Sequence, residues 1–69
     1  MKFVKVKTEK WGTVKVIVDD FVGVEDGATI EEDVFEIDVD KDNHLYIKGM
    51  EGCTFKNGNK LDLRLANWK

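Results

Sequence analysis

Proline is absent from the 69 residues, cysteine and histidine occur once each, and no apolar run approaches the ~20 residues of a membrane span. Cys53 alone makes no internal disulfide and no cysteine-based zinc site. His44 has no second ligand of metal type beside it, and a hydrolytic triad would need a nucleophile next to a base held by a third group. Cys53 is expected inward, as a small core residue, and His44 outward beside a hairpin loop, so the two are not expected to meet. No glycine-rich phosphate loop occurs; Gly49, Gly52 and Gly58 fit turns. A carboxylate pair such as Glu36 and Asp38 is easily found among 14 acids and singles out no acid–base chemistry. An enzyme is therefore not expected, and no cofactor or metal is implied. Lacking disulfide and zinc staples, the chain is expected to be a single cytoplasmic domain, residues 1–69, with a homodimer as one way to complete a thin core.

What is present is alternation of apolar and polar residues, the period of a half-buried strand. The first strand is expected at 2–8, with Val4 and Val6 inward, and the second at 13–18, with Val14, Val16 and Val18 inward. Pairing Val4 with Val18 and Val6 with Val16 leaves Glu9 to Gly12 as the tip, with Trp11 on it. A third strand at 34–40 and a fourth at 44–48 pair Val39 with Leu45 and Ile37 with Ile47 across a Lys41-Asp42-Asn43 loop. Asn43 takes the left-handed position of that loop. On the outer face Asp38 then opposes Tyr46 and Glu36 opposes Lys48. A fifth strand at 53–56 and a sixth at 60–66 are joined by Asn57-Gly58-Asn59, with Phe55 opposite Leu61 and Cys53 opposite Leu63. The spacing of Thr29-Ile30-Glu31-Glu32 fits a capping box, so residues 19–33 form either a helical turn or an acidic loop. The expected fold is all-β, an antiparallel meander of about six strands closing as a small SH3-like or OB-like barrel or pairing as a dimeric sheet.

Charge is segregated. Residues 1–18 carry five lysines against one glutamate, residues 19–42 carry eleven acids against Lys41, and residues 43–69 carry five bases against two acids. The net −3 thus hides a middle third of −10. A protein needing only solubility would intersperse its signs, so the segregation points to a docking face for a basic partner. Glu36, Asp38 and Asp40 recur at every second residue, about 6.6–6.8 Å apart along a strand. That row, flanked by Glu31, Glu32 and Asp33, offers lysines and arginines something like a phosphate backbone. Direct nucleic-acid binding through Lys5, Lys7, Lys15 and Trp11 is disfavoured, since the acidic segment opposes a long phosphate track.

Short length, strand content and one dense carboxylate block together resemble the small acidic DNA-mimic proteins of bacteriophages. One protein of that group inhibits the histone-like HU protein by occupying its DNA-binding arms. The resemblance implies a non-enzymatic regulator of an HU-like or other basic, DNA-binding host protein in the host cytoplasm. It implies that Asp19, Asp20, Glu25, Asp26, Glu31, Glu32, Asp33, Glu36, Asp38, Asp40 and Asp42 stand in for phosphates. Trp11, on a hairpin tip, is the expected aromatic contact, since exposed tryptophan often anchors an interface. The competing expectation is an SH3-like structural or assembly module pairing through an edge strand, its acids merely solubilising. Asp38, Asp40 and Asp42 also open like a calcium loop, but Asn43 stands where glycine is needed and Gly49 where a bidentate glutamate belongs. Trp68 is expected to fold back and cap one end of the barrel.

Overall fold

A computed structural model describes residues 1–69. Five strands make two small sheets: β1 (Lys2–Thr8), β2 (Gly12–Val18) and β3 (Ala28–Glu31) in one, β4 (Ile37–Val39) and β5 (Leu45–Ile47) in the other. The only helical piece is one 3₁₀ turn at Leu65–Asn67. The fold is all-β, as its alternation predicts, but it has five strands rather than six and no closed barrel. No helix is long and apolar enough to cross a membrane.

β1 and β2 are antiparallel, with Val4 opposite Val16 and Val6 opposite Val14. The expected register is therefore corrected by two residues. A two-residue slip keeps every side chain on its face, so the apolar pattern cannot choose between these registers. The turn decides. Thr8 Oγ1 donates to Gly12 O at 2.7 Å and accepts from Trp11 N at 3.0 Å, closing a short Glu9-Lys10-Trp11 loop. Gly12 supplies the left-handed backbone at φ +68°, which costs a residue without Cβ least.

β3 replaces the expected helical turn or acidic loop. It runs parallel to β1, with Val4 opposite Ala28 and Val6 opposite Ile30, so the sheet order is β2-β1-β3 rather than a meander. Residues 28–31 alternate half-buried and exposed, and Ile30 packs on the valine core. Two bonds pin the approach: Phe3 N donates to Asp26 Oδ1 at 2.9 Å, and Gly27 N to Phe3 O at 2.7 Å. A helix there would have stacked three acids in one turn and left Ile30 without the β1 valines to cover it.

The second hairpin forms with its expected register, Ile37 opposite Ile47, Asp38 opposite Tyr46 and Val39 opposite Leu45. Asn43 takes φ +64° in its loop. The paired part is shorter than 34–40, because Asp33 and Val34 belong to the turn leaving β3. Val4, Val6, Val16 and Val18 meet Ile37 and Ile47 in one buried cluster, which joins the two sheets.

The third hairpin does not form. The Asn57-Gly58-Asn59 turn is present, with Gly58 at φ +75° and Asn59 N donating to Asn57 Oδ1 at 2.8 Å. The chain leaving it runs parallel to β2 instead: Ile17 N donates to Leu61 O at 2.8 Å and Leu63 N to Ile17 O at 2.7 Å. Phe55 thus pairs with Trp68, not with Leu61, and Cys53 has no pairing with Leu63. The outer edge of β2 offered open backbone groups at Ile17, and residues 61–63 satisfy them. Trp68 folds back as expected, though onto a ring rather than a barrel end: its centroid lies 4.7 Å from that of Phe55.

Candidate functional site

The end of β1 and the end of β3 lie side by side, with Lys7 opposite Glu31 in the parallel register. The β1–β2 loop begins there with Glu9, and the turn after β3 supplies Glu32 and Asp33. Together Lys7, Thr8, Glu9, Glu31, Glu32 and Asp33 line a shallow open depression containing no hydrophobic residue. None of its four carboxylates accepts a hydrogen bond or pairs with a cation in the chain. Four acids against one lysine give the depression a surplus of three negative charges.

The other candidate acids divide sharply. Asp19 Oδ2 accepts from Leu65 N at 2.8 Å, and Asp20 pairs with the N-terminal amine at 2.7 Å. That amine holds the Asp20 carboxyl below the usual carboxylate range. Asp26 is spent on Phe3 N and Asp38 on Val39 N. Asp40 Oδ1 accepts from Asp42 N and His44 N, each at 2.9 Å, while Oδ2 meets Lys60 Nζ at 3.1 Å. The bond from the His44 backbone, helped by Lys60, lowers the Asp40 carboxyl. Glu36 pairs with Lys48 at 3.3 Å. Glu25 and Asp42 carry exposed carboxylates without a partner, away from the depression.

The three-carboxylate row is thus present in sequence order but not as a free anionic track. Lys48 and Lys60 neutralise its ends, and its middle member accepts from the backbone N–H of Val39. Of the eleven acids, Glu31, Glu32 and Asp33 are brought together, and Glu9 joins them. Glu9 was not among the expected residues, because it belongs to the basic first third. Only the parallel β1–β3 pairing, unmarked in the sequence, sets it beside Glu31–Asp33.

Trp11 is half-buried and packs against the core cluster, with Lys10 Nζ 5.7 Å from its ring centroid. The bond from Trp11 N to Thr8 Oγ1 turns the tip inward, which corrects the expectation of a protruding aromatic. His44 is exposed beside its loop, and Cys53 is half-buried. Lys5 and Lys15 face each other across β1 and β2 on the outer side of the sheet, both exposed.

A second polar assembly, missed in the sequence, lies at the C-terminal end. Asp62 is fully buried between Leu61 and Leu63. Its carboxylate accepts from Arg64 Nε at 2.8 Å, Arg64 Nη2 at 2.6 Å and Asn57 Nδ2 at 2.9 Å. Asn67, also buried, donates to Asp62 O at 3.0 Å and accepts from Asn57 N at 3.1 Å. The Arg64 bonds outweigh burial and hold the Asp62 carboxyl below its ordinary range. Every buried side-chain polar atom has a partner, so this network is internally complete and reads as a structural clamp.

Met1, Phe21 and Leu65 are 57%, 74% and 67% exposed, on segments that hydrogen bonds and an ion pair bring together at one corner. Arg64 Nη1 lies 3.4 Å from Met1 Sδ, and the bonds of Asp19 and Asp20 draw residues 19–21 to Leu65 and Met1. No family model, no curated protein and no solved structure matches the chain.

Proposed function

We propose that this chain is a non-enzymatic binding protein that docks a basic nucleic-acid-binding protein of the HU-like kind, its carboxylates taking the place of phosphates. One observation carries the reading: Glu9, Glu31, Glu32 and Asp33 converge around one open depression with no carboxylate oxygen spent on an internal bond. Crowded like charges cost stability, and a partner bearing lysines or arginines relieves that cost while gaining encounter rate. Glu36 and Asp40 contribute little to such a surface, being paired already.

Competition measures this directly. A fluorescent duplex bound to an HU-like protein is titrated with the chain at low and high salt. Displacement of the duplex at low salt, weakening as salt rises, is the expected result. Failure to displace it at any concentration, with no complex formed in the absence of DNA, rejects the reading.

A second reading, an assembly module, is favoured by the corner of Met1, Phe21 and Leu65. Exposed apolar side chains gathered from three distant parts of a chain mark contact surfaces more often than scattered ones do. Under this reading the acids keep the module soluble and copies or partners join through the corner. Sedimentation equilibrium of the chain and of Phe21→Ser distinguishes the two: mass above the monomer that disappears in the variant supports assembly.

A further inference from the structure

Backbone direction within the larger sheet identifies which groups it leaves unused. Ile17 turns both its N–H and its C=O away from β1, toward Leu61 and Leu63. Successive residues of a strand bond to opposite sides, so Val16 and Val18 turn toward β1, and their partners Val4 and Lys2 turn back to meet them. Phe3, Lys5 and Lys7 then present their backbone groups to β3, as the bond from Gly27 N to Phe3 O shows. In the register that sets Lys5 opposite Thr29, the groups answering Lys5 belong to Ala28 and Ile30. Thr29 and Glu31 therefore face the open side. The Glu31 carbonyl is taken by Val34 N at 3.2 Å, which leaves the Thr29 N–H, the Thr29 C=O and the Glu31 N–H for an outside partner. No strand covers that edge; on the far edge of β2, residues 61–63 cover Ile17 alone, and the exposed Lys15 beside it repels a basic strand.

We infer that β3 receives an extended, lysine- or arginine-rich segment of a partner protein as an added strand. This rests on the basic-partner reading above and specifies the form the partner takes. Main-chain bonds to Thr29 and Glu31 would supply affinity, and alternate side chains of the incoming strand would reach Glu31, Glu32 and Asp33. Charge also selects the occupant. A second copy adding β3 antiparallel to β3 would lay one acidic segment along another, Glu31 and Glu32 toward Asp26 and Glu25 of the other copy, and like charges on neighbouring strands repel. A basic strand meets the opposite sign at each of them.

The probe is a short peptide of alternating lysine and threonine, compared with the same peptide N-methylated at alternate residues. Methylation removes main-chain donors and leaves every charge. Amide shifts and hydrogen exchange of the isotope-labelled chain give the readout. The expected result is slowed exchange at Thr29 and Glu31 with the plain peptide, and affinity at least about tenfold lower for the methylated one. Thr29→Pro provides the second arm, since proline suits an edge position whose N–H faces solvent and keeps every carboxylate. It should retain the native spectrum and bind the plain peptide about tenfold more weakly. Equal binding of both peptides overturns strand addition while leaving charge docking intact. Absence of binding by either peptide at low salt overturns both.

Discussion

The Arg64 guanidinium grips the Asp62 carboxylate at both oxygens, Nε to Oδ1 at 2.8 Å and Nη2 to Oδ2 at 2.6 Å. Asp62 is fully buried where residues 61–63 lie against β2, so this pair fixes the C-terminal segment to the sheet. Removing one member of such a pair leaves the other without its counter-charge. Asp62→Asn, close in shape, sets an amide against the Arg64 or Asn57 donors and should cost about 2–4 kcal/mol in urea unfolding. An unchanged urea midpoint would show that the clamp contributes nothing.

The same pair gives a pH dependence of defined sign. Arg64 holds the folded Asp62 carboxyl below its ordinary 3.8, so the unfolded chain binds that proton more readily. The stabilisation is present in full above about pH 5 and is lost as pH falls through the folded value. Asp20 and Asp40, lowered chiefly by the N-terminal amine and the His44 backbone, act in the same direction. Urea midpoints measured from pH 6 down to pH 2 should therefore fall, and fall less steeply in Asp62→Asn than in the parent.

Gly12 sets the register of the first hairpin through a left-handed backbone, φ +68°, with open space where a Cβ would stand. Gly12→Ala meets no steric neighbour, so its whole cost is backbone strain, about 1–2 kcal/mol. A drop in Tm of about 4–8 °C per kcal/mol follows for a domain this small. No drop would mean that the loop has adopted the alternative pairing of Val4 with Val18, which cross-strand NOEs would reveal.

Phe55 is the only buried aromatic, and Trp68 lies over it at a tilt of 43°. Phe55→Ala removes a large ring from the support of the C-terminal segment and should destabilise by about 3–5 kcal/mol. Quenching of Trp68 by iodide should rise in the variant; unaltered quenching would contradict the packing described.

Neutralising Glu31, Glu32 and Asp33 together as Gln, Gln and Asn should weaken capture of a basic partner at least about tenfold at low salt and flatten its salt dependence. Glu36→Gln, whose carboxylate already pairs with Lys48, should change capture less than about twofold. Equal losses in both variants would return the contact to the 36–40 row.

Alternation in residues 2–18 and 37–47 was enough to place four strands, because period-two burial needs only local information. The Asn43 loop was legible as well: three residues between matched faces, with a residue tolerant of positive φ, admit one register. A two-residue slip in the first hairpin was not, since both registers bury the same valines and only the Thr8–Gly12 contact separates them. At the candidate site, the acids Glu31, Glu32 and Asp33 were visible as part of a block, while their freedom from internal partners was not.

The residue order by itself determined an all-β chain, the inward valines and isoleucines, and a middle third dense in carboxylates. Tertiary structure alone decided that β3 lies parallel to β1, that residues 61–63 pair with β2 at Ile17, and which carboxylates remain free. The physical reason is that burial leaves its period along the chain, whereas the choice of strand partner depends on open edges far away. An acid becomes structural or available according to which backbone N–H or lysine the folded sheets bring within about 3 Å of it.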